Sequence, residues 1–420
     1  MTESSLLTRL RAARASLPSL VALSAEARNG AVLAMASALR NNADALVEAN
    51  AHDLAVGVAG GLSPALLDRL RLDATRIESL ACSLATVAAL PDPLADSAVP
   101  ARHRNGLKLR QKPVPLGVVA MIYESRPNVT AEAAALCFKA GNACVLRGGR
   151  EARHSNLAIA QLLEQALHAC GITTDCVQVL DDPDRSQQAE LLTRDDLVDV
   201  IIPRGGEALI RHVVANSRIP VIRHYKGVCH LFVDGAADLG MAQRLLIDGK
   251  ASRPGVCNAL ECLLVHRDIA LTWLPSAAAA LMARGVELRG CAAARASVPS
   301  IAEASDEDWG YEFLAPVLAI RVVDDLDAAL AHIRRYGSNH TEVICSTDAT
   351  ACARFVNEVD ASAVVVNASS RFNDGGELGL GAEIGISTSK LHAYGPMGLA
   401  SLTTRKWVIE GEGQVRHALE

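Results

Sequence analysis

One cysteine in this sequence lies in a setting that suits a nucleophile. Cys257 follows Pro254 and Gly255 in the stretch SRPGVCNALE, and an apolar run begins directly after it. Proline and glycine favour tight turns, and the charges of Lys250 and Arg253 ahead of the sulfur would favour a thiolate. A cysteine at such a turn is suited to covalent catalysis. The alternative is a buried structural thiol, which is the commoner role of a cysteine.

Two glycine pairs stand where predicted strands give way to predicted helices. Gly205 and Gly206 lie in IPRGGEALI, and Gly148 and Gly149 lie in VLRGGREARHSN. A helix that begins behind such a turn is able to bind phosphate, because its first N–H groups lack partners. The alternative is an ordinary strand-to-helix turn. Neither stretch contains G-x-G-x-x-G, so a nucleotide would bind differently from one in the usual dinucleotide fold.

Two further stretches combine polar groups with tight turns. MIYESRPNVT places Ser125, Arg126 and Asn128 around Pro127 at the end of a predicted strand. These residues either cap the next helix or offer donors to a substrate, and periodicity leaves both readings open. The glycine-rich stretch at residues 373–388 contains glutamate, leucine and isoleucine. A flexible linker would be richer in serine, so we expect a rigid loop that closes over a ligand.

Composition and charge limit the class of protein. The chain has 420 residues, a formal net charge of −6 and a hydrophobic fraction of 50%. Such a chain is long enough for two or three domains, and its charge gives nucleic-acid binding little support. No apolar run would span a bilayer, and the start lacks signal-peptide features, which predicts a cytoplasmic protein. The eleven cysteines form no Cys-x-x-Cys pair, so we expect no metal site.

The pattern along the chain predicts an α/β fold with parallel sheets. Residues 5–90 are rich in alanine and leucine and predict several helices. Predicted strands then alternate with helices, namely LGVVAMI, ACVLRG, CVQVL and VDVIIP. After PVIRHYKGVCHLFVD the pattern restarts with NALECLLVH, VLAIRVV, TEVICS and ASAVVVN. Such alternation is typical of parallel sheets covered by helices, which bind ligands at the carboxyl ends of their strands.

Two segments are predicted to form β-hairpin arms. The first contains the pair Asn105-Gly106 between extended stretches, which is a strong hairpin signal. The second is the tail LTTRKWVIEGEGQVR, with glycine at its turn. Open strand edges pair readily with other chains. We therefore expect the arms, residues 103–118 and 391–420, to support a homodimer or a higher homo-oligomer.

Taken together, these stretches resemble the aldehyde dehydrogenase superfamily, and within it the family of γ-glutamyl phosphate reductases, or glutamate-5-semialdehyde dehydrogenases. The resemblance covers nearly the whole chain. It rests on MIYESRPNVT, LRGGREA, IPRGGEALI, SRPGVCNALE, SNHTEVI and DGGELGLGAEIGISTSKLHAYGPMGL. It implies two parallel-sheet α/β domains with hairpin arms for oligomerisation. The cofactor-binding domain would comprise residues 1–102 and 119–230 with 368–390 returning to it, and the catalytic domain residues 231–367.

The resemblance also implies a reaction, the NADPH-dependent reduction of L-glutamate 5-phosphate to L-glutamate 5-semialdehyde and phosphate in proline synthesis. Cys257 matches the family's nucleophile, which forms a thioester, and its N–H is the expected oxyanion donor beside one from the ESRPN turn. Glu312 in YEFLAPV matches a glutamate that binds the nicotinamide ribose. Arg147 and Arg150 stand where the superfamily carries a lysine and, in NAD-preferring members, an acidic residue that binds the adenosine ribose, which predicts recognition of the 2′-phosphate of NADP.

The remaining expected contacts follow from the charges of the substrate. Its carboxylate and phosphate need cationic or N–H partners. The glycines of IPRGGEALI complete the expected cofactor site, and contact with glutamate 5-kinase, the upstream enzyme, is a further expectation. The candidates for substrate binding are Ser125, Arg126, Asn128, Arg253, Asn367 and Arg371.

Three other functions compete with this reading. A hydrolytic NAD(P)-dependent semialdehyde dehydrogenase would need a carboxylate base, but RHYKGVCHLF has no carboxylate before Asp234. A cysteine hydrolase would need a histidine partner, for which His224, His230 and His340 are available. A binding or scaffold protein on the same fold would need no reactive cysteine.

Overall fold

Helices and strands alternate through most of the chain, as the sequence pattern predicts. The structure is a computed structural model, and it describes residues 4–96, 98–103, 105–181 and 185–416. The other positions of the predicted domains and arms lie outside the described residues. In the described part of the chain, no helix combines the length and the apolar character that crossing a membrane requires.

The helices are built from strong helix formers, chiefly alanine and leucine. Several begin behind a capping residue, as at Ser24, Asp73 and Asp325, whose side chain accepts a hydrogen bond from the N–H three residues later. Their bounds are α1 (Ser5–Ala22), α2 (Ala25–Asn41), α3 (Ala43–Ala59), α4 (Pro64–Leu70), α5 (Ala74–Ala89), α6 (Asn128–Lys139), α7 (Arg153–Ala169), α8 (Arg185–Leu191), α9 (Glu207–Asn216), α10 (Leu239–Ala251), α11 (Arg267–Met282), α12 (Ala292–Ser297), α13 (Leu326–Tyr336) and α14 (Ala349–Glu358).

The strands are mostly short, and the central ones are buried on both faces. Continuous burial is what parallel strands covered by helices require. Their bounds are β1 (Ala101–Arg102), β2 (Lys108–Pro115), β3 (Val118–Tyr123), β4 (Ala143–Arg147), β5 (Val177–Val179), β6 (Val200–Arg204), β7 (Cys229–Val233), β8 (Leu260–His266), β9 (Glu287–Gly290), β10 (Ala302–Glu303), β11 (Val317–Val323), β12 (Thr341–Cys345), β13 (Ala363–Val366), β14 (Gly385–Ser387), β15 (Gly395–Met397) and β16 (Thr403–Glu410).

The first of two compact units contains a four-stranded parallel sheet. The unit consists of the described residues of Met1–Ile222, Leu380–Gly385 and Met397–Glu420. The strand order is β5-β4-β3-β6, and β3 pairs in parallel with β4 and with β6. All four strands were expected from the sequence, so the predicted parallel sheet is confirmed. The segments that follow these four strands therefore lie at the carboxyl edge of the sheet.

Parts of the two predicted arms form one antiparallel sheet with Ala101–Arg102 in the same unit, whereas residues 391–396 of the second arm belong to the second unit. β1 and β2 make the hairpin that the Asn105-Gly106 pair predicts, with Gly106 at a φ of 86°. The tail contributes β16, which pairs with β2 along its whole length. The prediction of a separate hairpin in the tail is wrong for the described residues, because no strand follows β16 up to residue 416. The tail pairs instead with the first arm and becomes an edge strand.

The second compact unit contains a seven-stranded parallel sheet. It consists of Arg223–Gly379 and Ile386–Pro396, and its strand order is β10-β9-β11-β8-β7-β12-β13. The sequence pattern predicts β8, β11, β12 and β13 but does not single out β7, β9 and β10. β7 lies next to β8, and its side chains alternate between two apolar cores, with Leu231 in one and Phe232 in the other.

The boundaries of the compact units differ from the predicted domain boundaries. The long first segment of the first unit ends at Ile222 rather than at residue 230, because the segment that leads into β7 already belongs to the second unit. Of the predicted returning segment 368–390, only Leu380–Gly385 joins the first unit. The assignment of cofactor binding to one domain and of catalysis to the other stays a prediction.

The second unit contains a cluster of buried histidines. Burial lowers the pKa of both His332 and His340 to about 3. Burial alone would also lower the pKa of His230, but the carboxylate of Glu342, 2.8 Å from Nδ1, raises it to about 10. In the folded protein at neutral pH, His332 and His340 are therefore uncharged, whereas His230 is paired with a carboxylate.

Two of these histidines, His230 and His332, lie close enough to Cys262 to suggest a metal site, but all three side chains already have hydrogen-bond partners. Ligand atoms of His230, Cys262 and His332 lie within 4.8 Å of one another. The sulfur of Cys262 is 3.6 Å from Nε2 of His332, and a guanidinium nitrogen of Arg321 is 3.3 Å from its Nδ1. Arginine only donates, so Nδ1 accepts and Nε2 directs its proton at the sulfur. The absence of a metal site stays a prediction.

The two uncharged histidines predict a loss of stability in acid. Because His332 and His340 bind protons near pH 6.5 when unfolded but only near pH 3 when folded, each lowers the unfolding free energy by up to about 1.4 kcal/mol per pH unit below about pH 6.5. The raised pKa of His230 acts oppositely, since its contribution is present below about pH 6.5 and is lost as the pH rises through about 10.

Urea unfolding between about pH 5 and pH 7 tests this expectation. The variant His332→Phe should flatten the dependence of unfolding free energy on pH by about one proton. The matched control is His168→Gln, at an exposed position of α7, which should leave the slope unchanged. Equal slopes for the wild type and for His332→Phe would contradict the expectation.

Candidate active site

Cys257 lies in a tight turn between α10 and β8, which we call the Cys257 turn (residues 252–259). The N–H of Ala259 donates to the carbonyl oxygen of Val256 at 3.0 Å and closes the turn. Cys257 is half-buried, so it is partly open to a small molecule. It precedes the amino end of its strand, whereas the sequence pattern predicts ligands at the carboxyl ends of strands.

The residue after Cys257 fixes the turn to a neighbouring segment. Asn258 is buried, and its Nδ2 donates to the carbonyl oxygens of Arg371 and Asn373 at 3.3 and 3.1 Å. In return, Oγ of Ser370 donates to the carbonyl oxygen of Asn258 at 2.7 Å. The predicted substrate ligand Arg371 is therefore held beside the Cys257 turn.

A second segment packs directly against the backbone of Cys257. A Cβ added at Gly227 would lie 2.0 Å from the carbonyl oxygen of Cys257, so only glycine fits there. The thiol of Cys229 donates to the same carbonyl at 3.2 Å. The N–H of Gly227 donates to Oε1 of Glu312 at 2.8 Å. The structure thus links the predicted nucleophile to the predicted ribose ligand through one glycine.

A buried ion pair lies behind the Cys257 turn. Nζ of Lys250 is 2.5 Å from Oε2 of Glu261, and both side chains are almost completely buried. Burial raises the pKa of Glu261 to about 7 and lowers that of Lys250. The sequence alone predicts that the charge of Lys250 favours a thiolate at Cys257. In the structure its charge is balanced by Glu261, which weakens that expectation.

Two arginines near the Cys257 turn keep their charge uncompensated. Arg253 is exposed within the turn, and Arg371 is half-buried in a short helical segment that bonds Asn258. Within the described part of the chain, neither guanidinium forms an ion pair, whereas many other arginines do. Uncompensated guanidinium groups suit the binding of carboxylate or phosphate.

Asn367 occupies a structural position. Its Nδ2 donates to the carbonyl oxygen of Ser346 at 2.9 Å, and its Oδ1 accepts from the N–H of Ser346 at 3.0 Å. The residue has a left-handed φ of 55°, which asparagine tolerates better than most residues. Both ends of its amide therefore tie the chain after β13 to the end of β12. Its predicted role in substrate binding gains no support from this geometry.

The histidines and the aspartate that competing functions would need are engaged elsewhere. His230 pairs with Glu342, and Nδ1 of His340 lies 2.7 Å from Oγ1 of its neighbour Thr341. Nδ1 of His224 lies 3.1 Å from the carbonyl oxygen of Ile386. Asp234, the nearest carboxylate by sequence, accepts a hydrogen bond from the hydroxyl of Ser346 at 2.6 Å. These contacts favour structural roles.

The first unit brings its predicted site residues to one edge of the parallel sheet. Arg147 ends β4, the pair Gly205-Gly206 separates β6 from α9, and Ser125 follows β3. The carboxylate of Glu124 accepts a hydrogen bond from the N–H of Gly206 at 2.9 Å. It thus takes the position that an anion would take at the start of α9.

Donors of two residues of the ESRPN turn, Ser125 and Asn128, are already used within this unit. Ser125 has a left-handed φ of 47°, and its N–H and hydroxyl both donate to Oε1 of Glu151, at 2.6 and 2.8 Å. Nδ2 of Asn128 donates to Glu132 at 3.0 Å. Ser125 would be able to donate a hydrogen bond to an oxyanion only after its hydrogen bonds to Glu151 break. Arg126 lies near enough to Glu132 to lower its pKa, although burial raises that pKa overall.

A small cavity at the same edge suits a ligand that carries phosphate groups. Its lining includes the glycine pair 148–149, Arg150, Arg153 and Asp181. Arg150 is exposed there, while Arg153 donates to the carbonyl oxygen of Asp181 at 3.2 Å. A Cβ at Gly148 would lie 2.0 Å from Nδ2 of Asn156, so the backbone stays bare at this point. Bare backbone and guanidinium groups are what phosphate recognition needs.

Comparison with known proteins places this chain among enzymes. The family model described as "Aldehyde dehydrogenase family" matches residues 1–288. The chain is 58% identical over 395 residues to the gamma-glutamyl phosphate reductase of Xanthomonas axonopodis pv. citri, covering 94% of this chain and 95% of that protein. It is 54% identical over 404 residues to the gamma-glutamyl phosphate reductase of Geotalea daltonii, covering 96% and 97%.

A solved structure agrees with the sequence comparisons. The crystal structure of the gamma-glutamyl phosphate reductase from Thermotoga maritima matches with a TM-score of 0.96 and 40% identity, over 99% of this chain and 100% of that one. Similarity at this level and over this length confirms the resemblance and the fold that the sequence predicts. The chain belongs to the aldehyde dehydrogenase family and, within it, to the gamma-glutamyl phosphate reductases.

Proposed function

We propose that this oxidoreductase reduces L-glutamate 5-phosphate to L-glutamate 5-semialdehyde, with Cys257 as the nucleophile and NADPH as the reductant. The observation that carries the proposal is the setting of Cys257. The residue is half-buried on a turn that neighbouring segments fix in place, with the uncompensated charges of Arg253 and Arg371 nearby. An acyl phosphate carries negative charge beside an electrophilic carbon. The two arginines suit the negative charge, and the sulfur of Cys257 suits the electrophilic carbon.

The covalent step uses the sulfur and the backbone of Cys257. The thiolate attacks the acyl carbon, a carbon–sulfur bond forms, and the carbon–oxygen bond to phosphate breaks. The N–H of Cys257 stabilises the oxygen that becomes negative during the attack. Arg253 and Arg371 attract the phosphate and the carboxylate of the substrate. Inorganic phosphate leaves with the bonding electron pair, so little general-acid help is needed.

A nicotinamide cofactor belongs to the chemistry of the aldehyde dehydrogenase family, and the glycine pair ahead of α9 and Glu312 are the residues proposed to hold it. Gly205 and Gly206 ahead of α9 would bind its phosphates after Glu124 moves away, and Glu312 would bind its ribose. When bound, the cofactor supplies the hydride that reduces the thioester. The oxygen on the reduced carbon then expels the sulfur of Cys257, which regenerates the thiolate and releases the aldehyde.

The hydrolytic semialdehyde dehydrogenase is the alternative. It would need a carboxylate that activates water against the thioester. The carboxylates placed around the Cys257 turn already have partners, since Glu261 binds Lys250 and Glu312 accepts from Gly227. Because these carboxylates are engaged, they are poorly suited to activating water, and the thioester should persist until it is reduced.

The reverse reaction decides between the two activities. Glutamate semialdehyde and NADP are supplied with and without phosphate, and formation of reduced nicotinamide is followed by absorbance. The proposed reductase should depend on phosphate, because phosphate is needed to release the acyl group from Cys257. Reduction of NADP at the same rate without phosphate would establish hydrolysis and overturn the proposal.

Arg150 is expected to set the preference for NADPH over NADH. It lies exposed in the cavity behind β4, and a guanidinium pairs well with the 2′-phosphate that distinguishes the two cofactors. Arg150→Ala should lower the ratio of kcat/KM with NADPH to that with NADH by about 10-fold to 100-fold, since hydrogen bonds between charged groups contribute about 1.5–3 kcal/mol. Arg147→Ala should change this ratio in the same direction.

The matched control for Arg150→Ala is Arg354→Ala, which removes an exposed arginine that pairs with Asp327 and Glu358 in the second unit. This control should leave the ratio unchanged. If Arg150→Ala also left the ratio of the two kcat/KM values unchanged, Arg150 would not recognise the 2′-phosphate.

Assembly with other chains is part of the proposal. β16 is an edge strand, and Trp407 and Ile409 on it are each 62% exposed. Exposed apolar side chains beside an open strand edge favour pairing with a second copy of the chain. We therefore retain the homo-oligomer as the proposed state, while contact with glutamate 5-kinase stays a prediction.

A further inference from the structure

The buried pair Lys250–Glu261 takes no direct part in the proposed chemistry, yet it lies next to the catalytic turn. Glu261 follows Cys257 by four residues, within the buried strand β8. Two charges in a core cost free energy unless hydrogen bonds satisfy them. Apolar side chains of similar volume would fill the same space. The retention of two charges here therefore calls for a role besides packing.

Glu261 holds a second group besides Lys250. Its Oε1 accepts a hydrogen bond from the backbone N–H of Leu314 at 3.1 Å, while Oε2 faces Lys250. Leu314 has a left-handed φ of 50°, a conformation that leucine avoids. Its side chain is 41% exposed, so burial of the leucine does not explain the strained backbone. The hydrogen bond to Glu261 is the contact that stabilises this kink.

The kink lies in the segment that carries Glu312. Residues 311–316, which we call the Glu312 loop, join a short helical turn to β11. Glu312 accepts from the N–H of Gly227, and Gly227 packs on the carbonyl of Cys257. The ring of Phe313 lies 5.9 Å from Nζ of Lys250, so the ion pair also borders the middle of the loop. A continuous series of contacts therefore connects Glu261, through the Glu312 loop and Gly227, to the backbone of Cys257.

We propose that Glu261 is a positioning residue, which fixes the Glu312 loop through the N–H of Leu314 and thereby holds Glu312 and Gly227 against the Cys257 turn. Lys250 serves this role by keeping the carboxylate in place inside the core. The inference rests on the proposed function insofar as it gives Cys257 and Glu312 their roles. The geometry that it invokes, from Glu261 to the loop, is independent of those roles.

Two double variants separate the hydrogen bond from the ion pair. Lys250→Met/Glu261→Gln removes both charges but keeps a side-chain oxygen that is able to accept from Leu314. Lys250→Met/Glu261→Met removes both charges and the acceptor, at nearly the same volume. A purely structural ion pair would make the two variants alike in every property of the folded enzyme. Arg28→Met, which breaks a buried ion pair with Asp92 in the first unit, controls for general destabilisation.

The readouts include one that needs no cofactor. Hydrogen exchange measured by mass spectrometry on the Glu312 loop should be at least about tenfold faster in Lys250→Met/Glu261→Met than in Lys250→Met/Glu261→Gln, because one hydrogen bond is lost. The KM for NADPH should also rise about tenfold in the variant without an acceptor and stay within about threefold in the other. Arg28→Met should change neither value. Equal exchange and equal KM in the two double variants would overturn the inference.

A third variant covers the case in which neither double variant folds. Glu261→Asp keeps a carboxylate opposite Lys250 but is one methylene too short to reach both Lys250 and Leu314. It should show the same fast exchange in the Glu312 loop, and wild-type exchange would overturn the inference. Failure of the proposed function has a different signature, since wild-type enzyme would then accumulate no glutamyl adduct on Cys257 while the exchange differences remained.

Discussion

Replacing Cys257 by alanine is expected to lower turnover of glutamyl phosphate at least about 10⁴-fold, the loss seen when a covalent nucleophile is removed. The sulfur is the atom to which the acyl group is transferred, and the described residues of the Cys257 turn contain no other thiol. Cys229, the nearest cysteine in the contacts of the Cys257 turn, is completely buried and donates its proton to the carbonyl of Cys257. Burial raises its pKa well above the ordinary range of a thiol.

The same variant should keep its fold and its affinity for NADPH. Cys257 is half-buried in a turn, so its truncation opens little space in the core. The contacts that fix the turn come from Asn258 and Gly227, which the substitution leaves in place. Turnover is followed by the absorbance of reduced nicotinamide, and NADPH binding by fluorescence titration. The control Cys82→Ala, at an exposed cysteine of the first unit, should match the wild type in both.

Mass spectrometry gives the direct test of the covalent step. Wild-type enzyme mixed with glutamyl phosphate in the absence of NADPH should gain the mass of one glutamyl group, and digestion should place it on Cys257. Cys257→Ala should gain none. Retention of normal turnover by Cys257→Ala, or an adduct on another residue of active enzyme, would exclude the proposed mechanism.

The sequence predicts most of the parallel strands because their signal is local. β3, β4, β5 and β6 are apolar runs between glycine-rich turns and helical segments, and burial on both faces requires that pattern. β7 escapes the prediction because it lies inside the run PVIRHYKGVCHLFVD, whose irregular first part separates β7 from α9. The pairing of the tail with the first arm joins residues almost 300 positions apart, and no local pattern carries that information.

The nucleophile is predictable from its own neighbours, whereas the groups that position it are not. Cys257 stands beside Pro254 and Gly255, which mark a turn in any context. Gly227 and Glu261 become important only through contacts with distant segments. Glu261 does leave one signal, since a carboxylate inside the apolar strand LECLLVH must be paired. The sequence also shows its partner Lys250, but there the lysine is predicted to act on the sulfur instead.

Gly227→Ala is expected to reduce kcat by about 100-fold, because a displacement of about 1 Å at a reacting group costs about that much. The added methyl would lie 2.0 Å from the carbonyl oxygen, 2.8 Å from the carbonyl carbon and 3.0 Å from the Cα of Cys257. All three are backbone atoms, so no side-chain rotation relieves the clash and the nucleophile itself must move. Overpacking of this kind also costs about 1–3 kcal/mol of stability.

Gly255→Ala is the matched control, because it adds the same methyl within the Cys257 turn itself, at a position with room for it. Its Cβ would meet only the carbonyl oxygen of Leu314, at 3.7 Å, and Gly255 has no left-handed φ. Steady-state kinetics at saturating substrate should therefore separate the two variants, with Gly255→Ala within about threefold of the wild type, a difference of under 1 kcal/mol. Alkylation of Cys257 by iodoacetamide should change in Gly227→Ala alone. If both glycine variants were equally active, contact between segment 227 and the nucleophile would not set its position, and the link from Glu312 to Cys257 would lose its function.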